Sequence, residues 1–406
     1  MVDIDSMPRL QHLTPNLRAL LSTLEGDGAT FEACRQRYSI VARDLASEGL
    51  GRITVSRVGD ADAYWSPTQE VLEEAMRLGW VVRTPTPSAR KYLDEYRDRV
   101  YVLTEAGRRA ASQIDDPAAF VDLVTDAVLR AHATMRSLLR LLREAPLVMP
   151  ETSESQLEQA RRSGQPTAWL SESAAHCING GATGKIVSSS EVRDEIAQWR
   201  TKRFGTAPAE APGRKAMVDM IDDAFASIAL KARDLPIGPI AFRVASGWGS
   251  ALRLIDQSRY VPGFASANVV WLACDIDETS VSGRGGPTVT RRGMVTHGRQ
   301  TAEAVIAAYR KQASQDAMAA PYLPLHVVRA EACFTVGVPR ALGDMAIQAL
   351  AEHRWPDLEV DVFLHSGVGD VPRSEPVYRR GGRRTALSIQ SAIHTRDPSH
   401  AASSIT

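Results

Sequence analysis

The chain is poor in cysteine, and what it has is scattered. Four cysteines occur in 406 residues, at Cys34, Cys177, Cys274 and Cys333. None forms a C-x-x-C pair, which argues against a zinc knuckle or a thioredoxin-like site. Cys34, Cys274 and Cys333 stand among apolar neighbours and are expected to be small buried residues. Net charge is also lacking, because 48 Lys and Arg balance 48 Asp and Glu. No global field recruits nucleic acid or an acidic membrane, so any such binding has to come from local patches. No apolar run approaches the roughly 20 residues that span a bilayer. The start, Met1-Val-Asp-Ile-Asp-Ser6, is acidic and lacks the apolar core of a signal peptide. These absences together imply a cytoplasmic, reduced protein with no membrane partner.

Catalytic signatures are equally sparse. No G-x-S-x-G marks a serine hydrolase. His297, His326 and His365 lie far apart, with no H-x-x-x-H spacing for a metal. Asn179-Gly-Gly-Ala-Thr-Gly-Lys185 approaches a phosphate loop but misplaces its first glycine. Ile186 stands where the Mg²⁺-binding Ser or Thr belongs. A glycine-rich turn is the better reading.

What is there divides the chain. Its length suggests two or three domains. Hydrophobic periodicity predicts helices over 16–24 and 30–47, the second capped by Thr30 and stopped by Gly49. Arg52 to Arg57 alternates like a strand. Ser66-Pro67 opens a helix with the stripe Val71, Leu72, Ala75, Met76 and Leu78. Trp80 to Arg83 and Arg99 to Leu103 are strand-like around a polar loop, and Thr104 caps a further helix. A helical stretch, 117–143, can either dimerise or pack on the next domain. Residues 145–165, with Pro146, Pro150 and many Ser, Glu and Gln, form the best boundary.

Beyond it, 191–203 and 217–232 are helical. Strand-like runs at 240–244, 268–274, 325–328 and 358–364 alternate with helices at 301–318 and 340–353, which argues for a partly parallel α/β sheet. The expected architecture is α/β overall. An N-terminal domain (8–113) is followed by a helix and linker (114–165), a mixed α/β domain (166–390) and a polar, disordered tail (391–406).

The stretch Leu78-Gly-Trp-Val-Val-Arg83, followed by Arg99-Val-Tyr-Val-Leu-Thr-Glu-Ala-Gly-Arg-Arg109, resembles the end of a winged helix-turn-helix domain of the MarR and PadR type. The likeness covers about a quarter of the chain. It implies a helix for the major groove and a wing on the DNA backbone. From 83 to 109, seven cations (Arg83, Arg90, Lys91, Arg97, Arg99, Arg108, Arg109) face four carboxylates (Asp94, Glu95, Asp98, Glu105). That excess suffices for a few phosphate contacts. The helix that should read bases is acidic, with Glu70, Glu73 and Glu74 against Arg77. Only Ser66, Thr68 and Gln69 look able to reach bases. A winged domain used for protein contacts is the bland alternative.

Two further constellations stand out. Val377 to Ile389 has the turn signal Gly381-Gly382 between β-prone runs. It gathers Arg379, Arg380, Arg383 and Arg384, and guanidinium forks suit phosphate oxygens. The run Val269 to Asp275 carries Asp275, Asp277 and Glu278 to its end, where α/β sheets bind ligands. With Glu331 after another apolar run and Asp370 in a turn, these loosely resemble an RNase H-like or other metal-dependent nuclease holding Mg²⁺ on Asp275 and Asp277. The glycine-rich run 282–287 after them is a lid or a simple turn.

Three readings follow. The favoured one is a DNA-associated protein that grips the backbone and needs no cofactor, with a C-terminal domain for a ligand or partner. The others are the Mg²⁺-dependent nuclease and a subunit of a protein assembly or homo-oligomer.

Overall fold

A computed structural model describes residues 10, 12–24, 28–47, 65–84, 99–181, 184–205, 212–235, 237–264, 266–277, 287–315, 322–366, 377–379 and 382–391. The expected strand at 52–57, the glycine-rich run at 282–286, and Glu278, Asp370 and the tail after Ser391 lie outside these residues.

The N-terminal module runs α1 (Leu13–Thr23), β1 (Ala29–Thr30), α2 (Phe31–Ser47), α3 (Trp65–Arg77), β2 (Val81–Arg83) and β3 (Val100–Leu103). Its small sheet has the order β1-β3-β2, antiparallel throughout. Thr30 starts α2 as expected, because its hydroxyl accepts from the Ala33 amide at 3.2 Å. The stripe on α3 is buried, with Val71 and Ala75 fully inside. Helix α3 begins at Trp65, so Ser66 and Pro67 lie within its first turn and do not precede it. Thr104 caps α4 (Glu105–Ala111) by accepting from the Gly107 amide at 3.0 Å.

The predicted single helix over 117–143 is two, α5 (Pro117–Ala131) and α6 (Ala133–Glu144), separated at His132. Their apolar residues, including Phe120, Val128, Leu138 and Leu142, are buried in the chain's own core. That stripe is therefore spent internally and is not open for dimerisation. The expected linker 145–165 holds β4 (Leu147–Pro150), buried at every position, and α7 (Glu154–Arg162). Proline at the end of β4 obscured this strand in the sequence. Ser153 and Gln156 close a capping box at the start of α7.

Helices α8 (Pro166–Gly180), α9 (Ser189–Phe204) and α10 (Arg214–Ala232) pack with α7 around a separate apolar cluster. The run at 240–244 is not a strand. It lies in α11 (Pro239–Ala251), where Pro239 takes the first helical position. Strand β4 pairs with β6 (Ala267–Leu272), and β6 with β5 (Ile255–Ser258). Strands β7 (Cys274–Asp277) and β8 (Thr288–Arg291) form an antiparallel pair.

The C-terminal part has α12 (Met294–Gln315), β9 (Leu323–Pro324), α13 (Leu325–Val336), α14 (Arg340–Ala351) and β10 (Val360–His365). It ends with β11 (Val377–Arg379), β12 (Gly382–Arg384) and β13 (Ala386–Ser391). The expected strand at 325–328 is thus helical. The sheet order is β10-β13-β9. Every strand pair among the described residues is antiparallel, so the partly parallel sheet is not found. The chain remains mixed in helix and strand. No described helix is long and apolar enough to cross a membrane.

Candidate nucleic-acid interface

Helix α3 presents its residues unequally. Ser66, Glu73 and Arg77 are exposed, and Gln69 and Glu70 are half-buried. Thr68 has no exposed surface, so it cannot read a base as the sequence suggested. Glu74 also points inward. Its side chain is fully buried and meets His132 Nε2 at 2.7 Å, and Arg77 lies 3.8 Å from its other oxygen. One of the three carboxylates counted against DNA is therefore an internal tie. Gln69 donates to Glu73 at 2.9 Å and Ser66 to Glu70 at 3.3 Å. The outer face carries a small hydrogen-bonded network and not three bare charges.

His132 sits between α5 and α6. Its ring also meets Trp248 edge-on, with centroids 5.2 Å apart. The Trp248 indole N–H donates to the Leu10 carbonyl at 2.7 Å. The inner side of α3 is thereby anchored to the body of the molecule.

Strand β2 continues the exposed face with Val82 and Arg83. Arg83 pairs in register with Tyr101 of the central strand. Burial pushes the Tyr101 phenol up to about 12, against the opposing pull of Arg83 and then Arg99. Arg99 is half-buried, and Arg108 and Arg109 are exposed on α4. Arg108 also donates to the Leu103 carbonyl at 2.9 Å. Arg90, Lys91 and Arg97, expected on the wing, lie outside the described residues.

The C-terminal basic turn forms as a hairpin. Val377 pairs with Arg384, Tyr378 with Arg383 and Arg379 with Gly382. Gly382 thus belongs to a strand, and Arg380 lies outside the described residues. Arg384 donates to the Ser366 hydroxyl at 3.4 Å.

Asp275 and Asp277, expected to hold Mg²⁺, and Glu331, expected to act with them in catalysis, sit differently from expectation. Asp275 and Asp277 are two apart on β7, so they share one face of a hairpin, not the end of a parallel strand. Asp275 is bound by Arg292 through Nη2 at 2.7 Å and Nε at 3.1 Å. Glu331 lies on helix α13, nearly buried, where Lys311 reaches it at 2.5 Å and Gln312 at 2.7 Å. Among the described residues no group of three His, Cys, Asp or Glu could hold a metal ion. The residues present do not fit the expected Mg²⁺ site.

Sequence reasoning missed His132, because the partner of Glu74 lies 58 residues away. The cue available was a histidine breaking a long apolar helix.

No protein-family profile and no curated protein sequence matches the chain. Two solved structures show a weak likeness, both of restriction endonuclease FokI. One has 11% identity and a TM-score of 0.27, covering 96% of this chain and 64% of that one. The other, bound to DNA, has 13% identity and a TM-score of 0.25, covering 81% and 49%. The chain spans less than two thirds of either. At such TM-scores the likeness carries no argument about this protein.

Proposed function

We propose that the N-terminal module is a winged helix that docks on duplex DNA mainly through the phosphate backbone. Its element order, helix–strand–helix–helix–strand–strand with the central strand last in sequence, supports this. The observation that carries the reading is the inward turn of Glu74 onto His132. It leaves Ser66, Gln69, Glu70, Glu73 and Arg77 on α3 and Arg83 on β2 as the outward polar set, with Glu70 and Glu73 accepting from Ser66 and Gln69. Arg99 adds a further cation, and Arg90, Lys91 and Arg97, outside the described residues, are proposed to contribute from the sequence pattern alone. Among the described residues of α3, Ser66 and Gln69 are the neutral groups placed to meet base edges, and both are already tied to Glu70 and Glu73, so sequence preference should be weak. The arginine hairpin at 379–384 supplies a second phosphate grip.

The test is a salt titration of full-length protein on duplex DNA. Affinity should fall steeply with salt and differ little between sequences. Arg83→Ala should weaken binding to all sequences alike and lower the salt slope by about 1. Replacing Arg379, Arg380, Arg383 and Arg384 with Ala should weaken it further. Absence of salt-sensitive binding by the whole chain would overturn the reading.

A further inference from the structure

A cleft of about 570 Å³ lies away from the surface just described, between α7, α8 and the turn before β6. Its size is within the range of small-molecule sites. Three large aromatic side chains line it, together with the His176 imidazole. Phe225 is buried, while Trp169 and Phe264 are half-buried. The remaining polar lining is largely neutral, with Gln156, Gln159, Thr152, Ser173 and Ser266 among it. Flat apolar surface beside amide and hydroxyl groups is the chemistry that recognises a heteroaromatic ring. The ring stacks on an aromatic face while its edge exchanges hydrogen bonds.

The rim is held in place. Ser266 adopts φ 58°, a conformation that costs a non-glycine residue energy. Two hydrogen bonds hold it there: Gln156 Nε2 donates to its hydroxyl at 2.6 Å, and the Glu151 amide to its carbonyl at 2.8 Å. Gln156 is fixed in turn by accepting from the Ser153 amide at 2.8 Å. Strain kept by surrounding structure is a mark of prearranged sites.

The described lining holds neither Lys nor Arg; its ionisable groups are Cys177, Glu151 and the exposed His176, and Glu151 is paired with Arg259 at 2.7 Å, so no strong cation is built in for a phosphate. That pairing also blunts any pull on a cation. Burial pushes the Cys177 thiol up to about 11, so it stays protonated and unreactive near neutral pH.

We propose that this cleft binds an uncharged nucleobase-bearing ligand, a free base or nucleoside, stacked on Trp169 with its edge toward Gln159. The proposal stands independently of DNA docking by the N-terminal module.

The experiment is calorimetric titration of the full chain with adenosine, guanosine, cytidine and uridine, beside ribose, benzylamine and a nucleoside monophosphate. At least one nucleoside should bind. Trp169→Ala should weaken it at least tenfold and Trp169→Phe much less. Gln159→Ala, at an exposed position tolerant of change, should weaken it roughly three- to tenfold, the effect of one hydrogen bond. Ribose and benzylamine should not bind, and the monophosphate should bind more weakly than its nucleoside. The proposal is overturned if no nucleoside binds at millimolar concentration. It is equally overturned if ribose, benzylamine or the monophosphate binds as well as the nucleoside. Full affinity in Gln159→Ala and Trp169→Phe, with none lost in Trp169→Ala, would also sink it.

Discussion

Gly107 shows how one position can be dictated by its surroundings. A Cβ there would stand 2.0 Å from the Trp80 carbonyl oxygen. The same carbonyl accepts from the Thr104 amide at 2.9 Å, so it has little freedom to retreat. Gly107→Ala should destabilise the protein by about 3 kcal/mol through overpacking alone. A chemical denaturation midpoint within error of the parent would show that the strand-to-helix corner is looser than described. Asp222 makes a different residue-scale case. Burial pushes its carboxyl up to about 7, although the Thr152 amide donates to it at 2.7 Å. An acid whose folded value is raised binds its proton more tightly when folded. Its stabilising effect is full below the unfolded value near ~4 and is lost as pH rises through about 7. Asp222→Asn keeps an oxygen for Thr152 and removes the titration. The variant should therefore gain on the parent between pH ~4 and ~7, by on the order of 3 kcal/mol. Parallel pH–stability curves for the two proteins would refute this.

At the scale of elements, helix α3 is held from within by a buried polar tie between Glu74 and His132. His132→Ala would leave the Glu74 carboxylate buried beside only a distant Arg77. Leaving a buried polar group without its hydrogen-bond partner costs about 1–3 kcal/mol. Amide exchange should accelerate first along α3, and the proposed DNA binding should weaken with it. Exchange that changes equally everywhere would place the loss elsewhere. This element also shows what a sequence can disclose. The buried stripe of α3, the Thr104 cap and the β11–β12 hairpin were legible, because each is written in residues a few positions apart. The runs at 240–244 and 325–328 misled, since four or five apolar residues fit a buried helix as well as a strand. Pairings such as Glu74 with His132, or Lys311 with Glu331, cross the fold and leave no local trace. The cleft was illegible for the same reason. Trp169, Gln159 and Ser266 meet only after β4, α7 and α8 have packed.

At the scale of the molecule, the N-terminal module does not own a closed core. One apolar cluster runs from Leu10 and Leu17 through Val71 and Tyr101 to Phe120, Leu230, Trp248 and Val270. Residues more than 200 positions apart thus share one interior. Arg291 on β8 adds polar stitching, donating to the Leu252 carbonyl at 2.8 Å and binding Asp122 and Thr125 of α5. Its neighbour Arg292 reaches Asp275 and the carbonyls of Val336 and Gly337. Arg291 at the end of β8 and Arg292 just after it therefore fasten the hairpin to the N-terminal side and to the end of α13. A module cut at residue 115 would expose the surface that Phe120, Leu138 and Trp248 cover. Losing that burial removes roughly 1.5–3 kcal/mol for each large apolar side chain uncovered. The 1–115 fragment should melt well below the whole chain. In the whole chain, Trp248→Ala should lower the protection of amides in α1 and α3 as well as in α11, because the cavity opens beneath all of them. A fragment as stable as the intact protein, or a Trp248→Ala effect confined to α11, would mean that the module is a separate domain after all.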